Sequence, residues 1–362
     1  MTPQSNETVE ASAPGRVCLF GEHQDYLGLN VIAMAINLRM RIRGQAQSNG
    51  LYHIDMPDIH SKDEFSPTEE LSYKNRRDYL RSVVNVLRRK GMPYERGYDF
   101  LVKSDIPMNA GVASSSAFVV AWTVMLLKVN NALDRFTGEE IARLAHEAEV
   151  HEFKEPGGIM DHFTATMGGL LYIDCGTPLR VTQLARPFHG VVLGNSLEKK
   201  PTTETLGSVK ADVRAGIGLM QKLLPTFDIR ATPQGEVIPL LHKLPEAKAQ
   251  KLYANLVNRD LCQRALELLK QSGFDEYEMG GLMDDHHEML RDHLGVSTPK
   301  IETMIAAAKE AGALGCKING SGCGGTMVAY APRHEEAVAA ALERAGGRAY
   351  IVKKSEGVRV ET

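Results

Sequence analysis

Hydrophobic positions recur along this chain in two rhythms: short runs bounded by turn residues, and longer stretches with helical spacing. Residues 17–20 and 31–36 are compact apolar runs that predict buried strands, and residues 39–44 continue the second as a mixed strand with basic residues on one side. Tyr79, Leu80, Val83, Val84 and Leu87 fall at helical spacing within 78–90, and Gly91 with Pro93 ends that helix. Residues 98–103 predict a strand. Residues 118–127 are apolar all round except for Thr123, too short and interrupted to span a bilayer, and so predict a core helix.

Thr137 begins a further helix with Glu140 three residues on, the capping-box arrangement, and Ile141, Leu144, Ala145 and Ala148 form its buried stripe. Strands are predicted at 170–174 and 190–193. Residues 202–295 read as mainly helical and charged, with His286, His287 and His293 among Asp284, Asp285 and Glu288 as a solvated helix face. Thr298 and Pro299 open another helix as N-cap and first residue. A strand at 316–319, a strand at 326–331, a helix at 335–345 and a strand at 348–352 make a βαβ-rich C-terminal unit. Residues 45–75 are polar and turn-rich and predict no particular element. Without repeats or a low-complexity linker, the expected boundary falls at Arg186-Pro187.

Composition narrows the class of protein. The chain has 362 residues, 43% hydrophobic and 24% charged, as expected of a globular protein with a full core. A net charge of −3 gives no basis for binding nucleic acid or an anionic membrane. Five cysteines, odd in number and without a C-x-x-C pair, argue against a disulfide framework or zinc ribbon and fit a reducing cytoplasm. The first fourteen residues are polar and carry no apolar signal-peptide core, so a cytoplasmic location is expected.

Three stretches carry candidate chemistry. Residues 105–117 pass from Pro107 through Gly111 to Ser114, Ser115 and Ser116, immediately before the core helix. Backbone N–H groups at such a helix start suit an anion, phosphate being the usual one, although a serine-rich N-cap would look the same. Residues 13–37 place Arg16, Glu22, His23, Asp25 and Tyr26 on and beside one inter-strand loop, a set suited to recognising several hydroxyls, although a solvated hairpin tip could carry the same residues. In residues 155–169, Pro156, Gly157 and Gly158 allow close backbone approach, and Asp161 follows as either a first-turn helix residue or a carboxylate base at a cleft. His146 and His151 lie five apart, which on an α-helix places them on different faces and argues against a metal pair.

Taken in order, residues 14–28, 107–117 and 317–325 resemble the three motifs of the GHMP sugar and metabolite kinases. Gly15, Arg16, Gly21, Glu22, His23, Asp25 and Tyr26 are similar to the galactokinase pattern G-R-x-x-x-x-G-E-H-x-D-Y. Gly158-Ile159-Met160-Asp161 resembles the galactokinase G-I-M-D segment. The resemblance implies an α+β, two-domain architecture: a ribosomal-protein-S5-like domain over residues 1–187 and a ferredoxin-like domain over 188–362, with ATP and sugar between them. It implies an ATP-dependent sugar 1-kinase. Asp161 would be the catalytic base beside Arg16, and Glu22, His23, Asp25 and Gly158 would bind the sugar. Asn109, Gly111, Ala113, Ser114, Ser115 and Ser116 would hold the ATP phosphates, while Ser115 and Glu149 would attend Mg²⁺. A small-molecule partner and a monomer or weak homodimer are expected, with no nucleic acid or membrane.

Gln24 and Leu27 stand where the galactokinase pattern has Thr and Asn, and residues 202–207 lack a sugar-contacting Tyr. Galactose, an N-acetylhexosamine, a uronic acid or a heptose therefore remain acceptors to weigh, with Lys199 and Lys200 as candidate partners for an anionic one. A non-catalytic sugar sensor is the alternative of another class.

Overall fold

The computed structural model describes residues 8–108, 110–198 and 202–361. The strands, in chain order, are β1 (Thr8–Phe20), β2 (Val31–Gln47), β3 (Tyr52–Met56), β4 (Ser61–Phe65), β5 (Gly97–Ser104), β6 (Leu170–Asp174), β7 (Arg180–Leu184), β8 (Val191–Asn195), β9 (Gly315–Asn319), β10 (Thr326–Tyr330), β11 (Arg348–Val352) and β12 (Arg359–Glu361). The helices are α1 (Tyr79–Arg89), α2 (Ser114–Val129), α3 (Gly138–His146), α4 (Met160–Met167), α5 (Thr202–Leu223), α6 (Gln234–Val237), α7 (Glu246–Lys270), α8 (Glu276–Glu288), α9 (Pro299–Glu310) and α10 (Glu335–Arg344).

Two sheets organise the chain. The first runs β12-β1-β2-β5-β3-β4, with β6 also paired to β2 and β7 to β6. Strand β2 can serve two neighbours because it is long: its start, 31–34, pairs with β6, and its end, 40–47, pairs with β5. The second sheet, β11-β8-β10-β9, is antiparallel throughout. With helices between β8 and β9 and between β10 and β11, it has the ferredoxin-like βαββαβ plan. The expected α+β architecture is therefore present. The last strand returns to the first sheet, Glu361 standing opposite Glu10.

Local chemistry explains several elements. Thr137 and Glu140 form the reciprocal capping box at the start of α3, and Asp78 caps α1 by accepting from the Arg81 N–H. Helix α2 is buried nearly all round, and its Trp122 indole donates to the Leu80 carbonyl, 3.0 Å, tying it to α1. Helix α7 joins the two cores: Leu252 and Leu256 belong to the core that includes the second sheet, and Leu261 and Leu266 to that of the first. Among the described residues, no helix is long and apolar enough to cross a membrane.

Two sequence expectations are corrected. His286 and His287 are not on a solvated face: they are 0% and 3% exposed, with α8 packed against β9. His287 Nε2 bonds Glu302 Oε1 at 2.9 Å, and its Nδ1 accepts the Ile318 N–H at 3.3 Å. The expectation that His146 and His151 point apart also fails. Residues Glu147–His151 form a π-helical turn, whose i→i+5 pitch brings the two rings within 4.7 Å between centroids. The described residues nevertheless contain no group of three or more His, Cys, Asp and Glu able to hold a metal ion.

Candidate active site

Arg16 is the joint of the site. It follows an irregularity in the β1–β2 register between Pro14 and Arg16, and it is 4% exposed. Its Nε donates to Asp161 Oδ1 at 2.7 Å, Nη2 to Oδ2 at 3.0 Å, and Nη1 to the Gly111 carbonyl at 2.5 Å. One guanidinium thus fixes both the first turn of α4 and the loop before α2. Burial alone would lower its pKa, but the Asp161 carboxylate beside it prevails and the value stands above the ordinary one.

The loop at 110–113 turns through Gly111 at φ 89° and Ala113 at φ 59°, both left-handed. Ala113 is the N-cap of α2 and supplies no side-chain cap. The first N–H groups of this helix, on Ser114, Ser115 and Ser116, therefore have no intrahelical acceptor and lie at the positive end of its dipole. From the second sheet Asn319 braces the loop, its Nδ2 donating to the Gly111 carbonyl at 2.8 Å while its Oδ1 accepts from Cys18 N at 2.9 Å.

Glu149 projects from the π-helical turn, 7% exposed, towards these serines. Its burial would raise its pKa, but the hydrogen bond to His162 (2.8 Å), that residue's charge, and the Ser115 and Ser116 hydroxyls lower it below the usual carboxylate value. Glu149 therefore stays an anion amid hydroxyl oxygens, a hard donor set of the kind that suits Mg²⁺.

The inter-strand loop closes the other end of a cleft of about 170 Å³, lined among others by Arg16, Glu22, Asp25, Gly158 and Asp161. Asp25 accepts from Tyr26 N at 2.8 Å and Met160 N at 3.2 Å; burial and then the charge of Asp161 raise its pKa. Glu22 also lines the cleft, and its Oε1 is paired with the buried Lys317 ammonium, which further donates to the Cys18 and Ile318 carbonyls at 2.9 and 2.8 Å. His23 bridges to the loop between β9 and β10, with Nε2 3.0 Å from the Ser321 carbonyl and Nδ1 2.9 Å from the Tyr26 hydroxyl.

Gln24 is buried and donates to the Asn255 carbonyl on α7, while Leu27 packs on the second core. These departures from the galactokinase pattern thus sit at a junction between elements. Leu206 lines the cleft in the segment that lacks the Tyr. Asn109, Lys199 and Lys200 lie outside the described residues.

A second cavity of about 380 Å³ adjoins the serines and was not legible in the sequence. Met40, Met56, Ile59, Leu80, Val102 and Phe118 give it apolar walls, and Asp58 and Asn75 add polar groups. Met56, Asp58, Ile59, Ser61, Asp63 and Asn75 of that wall come from the polar stretch 45–75, where β4 has Phe65 as its one apolar residue. Only the sporadic Met56 and Ile59 could have hinted at it.

Comparison with known proteins agrees with this layout. Residues 78–169 match the profile of the GHMP kinases N terminal domain, residues 264–348 that of the GHMP kinases C terminal, and residues 4–45 a galactokinase galactose-binding signature. A mevalonate kinase of Thermococcus sibiricus is 31% identical over 98% of each chain. A galactokinase of Roseiflexus sp. is 31% identical over 96% of this chain and 91% of its own. The crystal structure of Lactococcus lactis galactokinase complexed with galactose superposes with a TM-score of 0.84 at 20% identity, covering 99% of this chain and 96% of that one.

Proposed function

The chain belongs to the GHMP kinases and is thus a phosphotransferase, and on that premise we propose that it is an ATP-dependent kinase phosphorylating the anomeric C1 hydroxyl of galactose or a related sugar. The observation that carries the reading is the bidentate Arg16–Asp161 pair, set in the same cleft as the start of α2. A carboxylate at that place accepts the proton of the attacking hydroxyl as its oxygen bonds to the γ-phosphorus and ADP departs. Arg16 holds Asp161 by both oxygens, and the first N–H groups of α2 receive the phosphate oxygens. Ser115 and Glu149 would hold Mg²⁺, which supplies charge neutralisation on the phosphates when bound. The apolar second cavity suits the nucleotide base.

The acceptor end favours a neutral polyol. At that end Glu22, Asp25 and Asp161 line the cleft; Lys317 is committed to Glu22 and Arg16 to Asp161, so the carboxylates outnumber the cations by one. Carboxylates accept hydroxyl hydrogens well and repel an acceptor that is itself a carboxylate. This weighs towards the galactokinase relatives and against mevalonate, which carries a carboxylate. The galactose-binding signature over residues 4–45 supports the same choice.

The test is ATP turnover against a panel of galactose, other hexoses, N-acetylhexosamines, uronic acids, heptoses and mevalonate. A sugar should give the highest kcat/KM, and its product should have lost its reducing end, because a C1 phosphate locks the anomeric carbon. Preference for mevalonate would overturn the acceptor class, and a product that still reduces would overturn the position. Absence of turnover with the whole panel would favour the sensor reading.

A further inference from the structure

The acceptor cleft and the apolar cavity share four wall residues: Arg77, Tyr79, Ser114 and Ser115. A nucleotide with its base in the cavity and its terminal phosphate at Asp161 has to pass this seam. The span crossing it is the polyphosphate, the most highly charged part of the molecule. Of the four shared residues Arg77 is the cation.

Arg77 is held for that place before any ligand arrives. Its backbone takes the left-handed region at φ 69°, immediately before the Asp78 cap of α1. Its Nε and Nη2 donate to Glu155 Oε1 and Oε2 at 2.6 and 2.7 Å, a bidentate pair. Arg76 Nε stands 3.9 Å from the same carboxylate, so two guanidiniums share Glu155. Glu155 is 9% exposed at its side chain and Arg77 40%, so the carboxylate is the buried anchor and the guanidinium the accessible group. Arginine suits this position because its planar fork matches phosphate oxygens and its charge does not titrate.

We propose that Arg77 clamps the polyphosphate of the nucleotide where it crosses from the base cavity to the acceptor cleft, with Glu155 orienting the guanidinium. The inference rests on the nucleotide reading given above. It also assigns a purpose to the loop before Gly158, since the residue that orients the clamp belongs to the segment leading to Asp161.

Calorimetric titration of the purified full chain with ATP, and separately with adenosine, tests it without reference to turnover. Arg77→Met should weaken ATP binding about 10- to 100-fold, the worth of a charge-assisted contact, and leave adenosine binding close to wild type. Arg77→Lys should recover only part of the ATP affinity, because an ammonium cannot make the forked contact. Equal ATP affinity in wild type and Arg77→Met would overturn the inference. So would an equal loss for ATP and adenosine, which would show Arg77 to be a brace for the cavity wall. A wild-type chain that binds neither ligand would instead overturn the nucleotide reading, and this inference with it.

Discussion

The carboxylate of Asp25 occupies the space that a side chain on Gly158 would need: a Cβ there would lie 1.9 Å from Asp25 Oδ2. The glycine is present because two segments, 133 residues apart in sequence, converge at the acceptor cleft. Asp25 cannot retreat without losing the Tyr26 and Met160 N–H donors. Gly158→Ala should therefore displace Asp25, raise the acceptor KM at least about tenfold through loss of a charge-assisted contact, and cost about 1–3 kcal/mol of stability as overpacking. Nucleotide binding should hold, since the apolar cavity is elsewhere. An unchanged acceptor KM would show that Asp25 does not touch the sugar.

Much of this site was legible because its signals are local or dense. Asp161 follows a Pro-Gly-Gly break, Arg16 stands in a crowded motif, and the Thr137–Glu140 box is a contact between residues three apart. What escaped depends on distant partners. Strand β7 is largely exposed, so it lacks the alternation that marks a half-buried strand. His286 and His287 sit in a charged stretch, and only their packing against β1 and β9 takes them out of water. The π-helical turn at Glu147–His151 changes which residues share a face, and nothing in the residue types announces it.

His286 makes the fold acid-sensitive. Its ring stacks on Phe20, 5.7 Å between centroids, and burial, then the charges of Lys317 and His287, depress its pKa well below the ordinary histidine value. Glu22, 3.9 Å away, and His23 are the other titratable groups facing it. His287 is lowered too, and His146 is pushed down to about 2, chiefly by burial. Such histidines are neutral when folded and protonate when unfolded, so their contribution is complete above about pH 6.5 and is lost as pH falls below it. Each can remove up to about 1.4 kcal/mol per pH unit. Melting temperature should drop steadily between pH 7 and pH 5, and His286→Phe, which keeps the stack, should flatten that slope. A slope unaltered by the substitution would show that His286 already carries a proton in the native state.

Glu149 is expected to set the metal requirement. The carboxylate is kept ionised by His162 and the two serines, so Glu149→Gln removes a charge and changes little volume. The Mg²⁺ concentration for half-maximal ATP binding should rise at least about tenfold, the loss of one charge-assisted contact. Metal-free ADP should bind as before or slightly better, because an anion near the phosphates has gone. Identical Mg²⁺ titrations for the two proteins would place the metal on other residues.

Asp161→Asn separates the base from a helix-start residue. Asn keeps an oxygen for one Arg16 donor but loses the charge and the bidentate geometry seen at 2.7 and 3.0 Å. Because Arg16 is 4% exposed, its weakened partner should cost about 1–3 kcal/mol of stability, as for a charge-assisted hydrogen bond. Were Asp161 only an acidic residue in the first turn of α4, its loss would cost about 0.3–1 kcal/mol and leave the rate intact. As general base it contributes about 10²- to 10⁴-fold, so kcat should fall by that factor while ATP and acceptor affinities stay near wild type. Binding titrations on the variant show that it is folded, and single-turnover phosphorylation isolates the chemical step. Single-turnover rates within a few-fold of wild type would remove Asp161 as the base. Arg16 and Asp161 would then stand as a brace between β1 and α4, joining the loop before α2 to the acceptor wall.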